Sequence, residues 1–195
     1  MKKMSFTKNG VALFLSSLLL LCLCAPTSAV MPPPTEFDPS GVRDAVALGK
    51  VLEHPDPNMR VWALRQLDIM GERAAPAADA IAGALSDKNH VIRSNARVAM
   101  FHMGRPAVPA LVKTLEHRQP SVRRLAAETL GSIKPSAEDA VEALIRQLSD
   151  EDRWVRSASL EALQRIGEPK EKIVDALISA LGDESPYVRE TAASR

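Results

Sequence analysis

One arginine recurs through the chain at a nearly constant interval: Arg60, Arg93, Arg123, Arg156 and Arg189, separated by 33, 30, 33 and 33 residues. Apolar and small residues keep step with it. A leucine stands eight residues before each arginine (Leu52, Leu85, Leu115, Leu148, Leu181). Another apolar residue stands twelve before (Leu48, Ile81, Leu111, Leu144, Leu177), and one stands directly before (Met59, Ile92, Val122, Val155, Val188). Three residues after the arginine the side chain is small (Ala63, Ala96, Ala126, Ser159, Ala192). Seven and ten after it the chain is apolar again in the first four copies (Leu67, Met100, Leu130, Leu163; Met70, Met103, Ile133, Ile166). Within a copy these columns fall at helical spacing on two stripes, separated by a polar break such as Asp150–Arg153. Each copy is thus a hairpin of two amphipathic helices. Neither helix can bury its stripe alone, so a neighbouring copy must cover it.

Aromatic residues make up 4% of the chain and hydrophobic residues 46%, so the core has to be built from Ala, Leu, Val and Ile. The pattern L-x-x-x-L-x-D-x-x-x-x-V-R-x-x-A, as in Leu144–Ser159 and Leu177–Ala192, resembles the HEAT repeat, in the short form found in phycobilisome-lyase-like proteins. The resemblance covers about residues 41–195 and implies an all-α solenoid, an α–α superhelix of HEAT-like hairpins. Its layers are expected at about 41–71, 75–104, 106–134 and 136–167, with a partial fifth from about Lys170. Ser40, Asp56–Pro57 and Ser185–Pro186 are the expected helix-start devices of the first and last layers.

Residues 1–29 read as a signal peptide. Lys2, Lys3 and Lys8 form its basic start, and Val11–Cys24 is an apolar run of 14 residues. That run is too short for the ~20 residues that cross a bilayer. Thr27-Ser28-Ala29 supplies small residues for cleavage, so the mature chain is expected to begin at Val30. Lipidation at Cys22 or Cys24 is the weaker reading, because Leu21 and Leu23 stand where a lipoprotein signal wants a small residue. The expected destination is the periplasm or the outside of a bacterial cell. Residues 30–40 form a proline-rich linker. Lys and Arg number 25 against 24 Asp and Glu, and three of the lysines lie in the leader. The remaining chain is therefore slightly acidic, which does not suit a nucleic-acid binder.

The arginine column invites a binding role, namely a stripe of cations for an anion. The HEAT resemblance implies a structural one instead: an aspartate six residues before the arginine builds a ladder along the inter-helix turns. That role falls on Asp87 with Arg93, Asp150 with Arg156, and Asp183 with Arg189, and is expected to be broken at His54 and His117, which replace the aspartate. Metal binding does not follow from the histidines. His54 and His117 sit two layers, or ~20 Å, apart, whereas zinc ligands lie ~2 Å from the metal. His90 and His102 lie 12 residues apart with no third ligand. The mature chain has no cysteine, and its serines show no nucleophile elbow, phosphate loop or dinucleotide fingerprint. Neither a catalytic residue nor a cofactor is expected.

What remains is a surface. On each second helix the face opposite the buried columns carries the positions −2, +1, +5, +8 and +9 from the arginine. In HEAT arrays this is the concave side. Val61, Ile69, Val91, Val98 and Phe101 make it apolar in the first two layers, and Trp154 and Tyr187 share the −2 column further on. A contiguous apolar patch on a face that should be polar marks an interaction site. The expected function is a non-catalytic exported scaffold for another protein or peptide. The alternative carried by the resemblance is a bilin lyase or isomerase. At the far end, Val174, Leu177, Ile178 and Leu181 are expected to lack cover, which leaves two readings open: a longer array, or pairing with another chain.

Overall fold

The computed structural model describes residues 44–167 and 169–194. The expected signal peptide, linker and Ser40 cap lie outside the described residues. Among the described residues there are ten α-helices, short and long in alternation through α8: α1 Ala45–Val51, α2 Pro57–Met70, α3 Ala78–Gly83, α4 His90–Met103, α5 Val108–Thr114, α6 Pro120–Ile133, α7 Val141–Arg146, α8 Arg153–Ile166, α9 Lys170–Ala180 and α10 Pro186–Ala193. Four second helices (α2, α4, α6, α8) are 14 residues long, whereas α3, α5 and α7 are extended by 3-10 turns at Gly71–Ala77, Ala84–Ser86, Arg105–Ala107, Lys134–Ala140 and Gln147–Ser149. Prolines explain part of this. Pro76, Pro106 and Pro135 lie in the 3-10 segments, where a missing N–H is tolerated. The expected first helix from Ser136 therefore becomes α-helical only at Val141.

Second helices begin on repeated caps. The side chains of Asp56, Asn89 and Asp152 accept from the N–H of Asn58 (2.9 Å), Val91 (2.9 Å) and Trp154 (2.8 Å). Ser185 departs from the expected device: its side chain makes no capping bond, and its hydroxyl is buried without a partner among the described residues. At the other end α2 and α4 stop at Gly71 (φ 54°, ψ −128°) and Gly104 (φ 68°, ψ −137°), and α6 stops at Lys134 in the same conformation (φ 60°, ψ −134°). That region suits glycine and strains a residue with a Cβ.

The repeat columns meet in one core running from Ala45 to Ala176. Ala63, Ala96 and Ala126 are fully buried at the small column, and so is Ser159. The last layer adds a separate small cluster of Leu160, Ala180, Val188 and Ala192, because α10 supplies only eight residues. Val174, Ile178 and Leu181 are exposed, as expected, while Leu177 is half-buried and packs on the core. Second helices stack on one another, α2 on α4 and α6 on α8. At the latter contact a Cβ on Gly131 would lie 2.8 Å from Ala162 Cα, so only glycine permits this approach. The α4–α6 contact is much looser. Here the connecting 3-10 segment, Arg105–Ala107, has three residues where Gly71–Ala77 and Lys134–Ala140 have seven, which accounts for the one short interval in the arginine column.

Candidate functional site

Arg60, Arg123 and Arg156 are held from two directions, which corrects the expected pairing. Toward its own turn, each arginine of the column donates from Nη1 to the carbonyl six residues earlier: to His54 (2.7 Å), Asp87 (2.7 Å), His117 (2.9 Å), Asp150 (2.9 Å) and Asp183 (2.8 Å). Carboxylates come from the next layer. Arg123 forks onto Asp150 (Nε 2.7 Å, Nη2 2.8 Å), and Arg156 onto Asp183 (both 2.9 Å). Arg60 Nε approaches Asp87 at 3.0 Å. The pairs are thus Arg60–Asp87, Arg123–Asp150 and Arg156–Asp183, not partners within one layer. Arg93 and Arg189 make no ion pair among the described residues and bond only to turn carbonyls. Arg93 lacks one because the residue in the aspartate column of the next layer is His117. The break therefore falls between layers two and three, at the loose α4–α6 contact, and not at Arg60.

The histidines keep the other half of the aspartate's work. Asp87, Asp150 and Asp183 each accept the N–H two residues on (2.8, 2.9 and 2.7 Å), and the Nδ1 atoms of His54 and His117 accept from Asp56 and Gln119, both at 3.1 Å. Accepting at Nδ1 requires the neutral ring with its proton on Nε2. Burial alone would push the Asp183 carboxyl up. The Arg156 hydrogen bonds, the Ser185 N–H and the nearby guanidinium charges outweigh it and hold the carboxyl below the ordinary carboxylate range. Hydrogen bonds donated to Asp150 and Asp183 raise Arg123 and Arg156 above their ordinary values against the opposing effect of burial. Arg123 and Arg156 are enclosed structural ties, which leaves the anion-stripe alternative without free guanidinium edges at these two positions.

The second-helix face is where the candidate site lies. Ile69 is 79% exposed, Phe101 46%, Val91 39% and Val98 38%. Val61 does not belong with them, since it is half-buried and packs on the core. Trp154 and Tyr187 are partly exposed but cover each other across the layer seam, ring centroids 4.8 Å apart, with the Arg153 guanidinium 5.0 Å over the indole. Ser157, expected on this face, is buried, and its hydroxyl lies 3.1 Å from that of Thr191 on α10. Layers one and two therefore carry the apolar patch, bordered by a His102–Asp68 pair (Nδ1 to Oδ1 2.5 Å) that joins α4 to α2.

Beside Arg97 of α4, a cleft of about 210 Å³ lies over the close α6–α8 contact. It is lined by Arg97, Glu128, Gly131, Ser132, Ala158, Glu161, Ala162 and Arg165. Glu128 is held by Arg124 and Glu161 by Arg165, each as an i,i+4 pair. Arg97, and Arg65 on α2, have no carboxylate within ion-pair distance among the described residues. Neither arginine was singled out as free by sequence reasoning, because pairing depends on neighbours in other layers. Among the described residues no three metal-ligating side chains converge, and no helix is long and apolar enough to cross a membrane.

Residues 108–194 match the HEAT repeats family. No curated protein matches the sequence. Among solved structures, the chain resembles the CpcE–CpcF complex of phycocyanin lyase from Nostoc sp. PCC7120, with 23% identity and a TM-score of 0.55, over 76% of this chain and 95% of that one. It also resembles the TOG domain array of crescerin, which regulates microtubules in the primary cilium (18% identity, TM-score 0.56, 77% and 71% of the two chains). An Escherichia coli protein, YibA, is similar at 18% identity and a TM-score of 0.53 over 98% of this chain and 75% of its own. At these identities the structural likeness is one of fold. Because the columns and turn geometry of residues 108–194 also run through Ala45–Met103, the chain is an all-α solenoid of hairpins similar to HEAT repeats throughout.

Proposed function

We propose that the protein is a non-catalytic, exported scaffold that binds another protein through the second-helix face of its first two layers, the concave side in HEAT arrays. The observation that carries this reading is the exposure of Ile69, Val91, Val98 and Phe101 opposite the buried columns of their own helices. Apolar side chains exposed together on a face that should be polar mark an interaction surface by the usual measure. The test is the Val98→Asp/Phe101→Asp double variant. Partner binding is lost while the circular dichroism spectrum and melting point stay unchanged; a collapse of the helical signal would make these residues core and end the reading. Export rests on the Met1–Ala29 pattern. Mass-spectrometric sequencing of the secreted protein should return Val30 as the first residue, and an acylated Cys22 or Cys24 would make it a lipoprotein instead.

A second reading is a bilin lyase or isomerase, favoured by the fold likeness to phycocyanin lyase over 95% of that chain. Visible absorbance of the purified protein mixed with free bilin separates the two. A bound chromophore supports the lyase, and an unshifted bilin spectrum supports the scaffold.

A further inference from the structure

Resting on the partner-binding reading, we infer that the occupant of this face is an acidic amphipathic helix: a segment with apolar residues along one side and aspartate or glutamate beside them.

Length and charge on the face argue for this. Val91, Val98 and Phe101 stand at i, i+7 and i+10 on α4, a stripe about 15 Å long at 1.5 Å per residue. A straight stripe of that length matches the apolar side of a helix of two to three turns, the helix-in-groove mode of recognition. Two unpaired guanidinium groups bracket it. Arg97 lies on α4 one turn before Phe101, on the border that lines the α6–α8 cleft. Arg65 lies on α2 one turn before Ile69. Nearby, Asp68 bonds His102, and Arg105–Asp139, Arg124–Glu128 and Arg165–Glu161 pair with one another, while Glu72, three residues after Ile69, is exposed. What the face offers a partner is therefore apolar area with an unpaired guanidinium on α2 and another on α4. A carboxylate flanking the partner's apolar residues would find a guanidinium on either side, and a basic or neutral segment would leave both arginines facing nothing. Such rim charges act mainly on encounter and specificity, with the apolar contacts supplying adhesion.

A displayed library of random peptides, selected on the full chain, reads this out. Selected sequences should carry apolar residues at helical spacing with Asp or Glu beside them. Resynthesis with those acids as Asn and Gln, or use of the Arg65→Glu/Arg97→Glu variant, should weaken binding on the order of tenfold. Phe101→Asp should abolish it, and added salt should weaken it. Selected peptides that lack acids and ignore the arginine changes, yet are lost with Phe101→Asp, would overturn this inference and leave the partner-binding reading standing. If selection on the native chain returns nothing beyond what Phe101→Asp returns, both readings fall. Co-sedimentation with phosphatidylglycerol vesicles, lost in the Arg65→Glu/Arg97→Glu variant and with no peptide selected, would assign the face to an anionic lipid surface and overturn the inference as well.

Discussion

Replacing Arg156 by alanine should destabilise the array far more than the same change at Arg93, although the two arginines occupy the same column. Both variants lose an Nη1 bond to the turn carbonyl six residues back (2.9 Å for Arg156, 2.7 Å for Arg93), about 1–2 kcal/mol. Only Arg156→Ala also strands a carboxylate. Asp183 is 10% exposed beside an arginine side chain 7% exposed, and after the change it keeps only the Ser185 N–H. Removing one partner of a buried pair costs about 3–5 kcal/mol. The two variants should therefore differ by roughly 1–4 kcal/mol, or on the order of 1 M in urea midpoint for a protein of this size. Because layers open in a nearest-neighbour fashion, the loss can appear first as detachment of α9–α10. Trp154 fluorescence, which senses Tyr187 at 4.8 Å, should then fall ahead of the helical signal. Acidity gives a second handle with a definite sign. In the parent the Asp183 carboxyl lies below its ordinary range, so its contribution is complete above that range and disappears as pH falls through the lowered value. In Arg156→Ala burial, one N–H and the more distant Arg189 charge remain, so the carboxyl should rise and the deficit should shrink in acid. Equal midpoint losses for Arg156→Ala and Arg93→Ala, or a deficit that grows in acid, would refute the cross-layer pairing.

Three further changes test the packing. Gly131→Ala places a Cβ 2.8 Å from Ala162 Cα and should cost about 1–3 kcal/mol in thermal melts, whereas Gly83→Ala, helical and open to solvent, should gain about 0.5–1 kcal/mol. Lys134→Gly relieves the positive φ at the end of α6 and should stabilise by about 1–3 kcal/mol, read as a higher melting temperature. Ser159→Ala removes a fully buried hydroxyl with no hydrogen-bond partner among the described residues, in a column that is otherwise alanine. It should gain about 1 kcal/mol in urea midpoint stability, and a loss there would mean the hydroxyl has a partner.

Spacing determined the hairpins and the buried columns, and the HEAT resemblance the class of fold, because helix periodicity and the need to cover an apolar stripe are local facts written into each copy. The patch on the first two layers was legible for the same reason: Ile69, Val91, Val98 and Phe101 fall opposite their own buried columns. Partners across layers were not legible. The six-residue offset between Asp150 and Arg156 suggests that they pair, yet Arg156 spends Nη1 on its own turn carbonyl and directs its Nε/Nη2 edge at Asp183 of the next layer. Gly131 sits unremarked inside a helix until Ala162 is seen against it. Ser157 reads as solvent-facing until Thr191 of the next layer meets it. Neither Arg65 nor Arg97 differs in sequence from an arginine with a carboxylate beside it. Stacking decides which polar groups meet, since layer spacing and rotation depend on connector length, as the three-residue segment Arg105–Ala107 shows at the loosened α4–α6 seam.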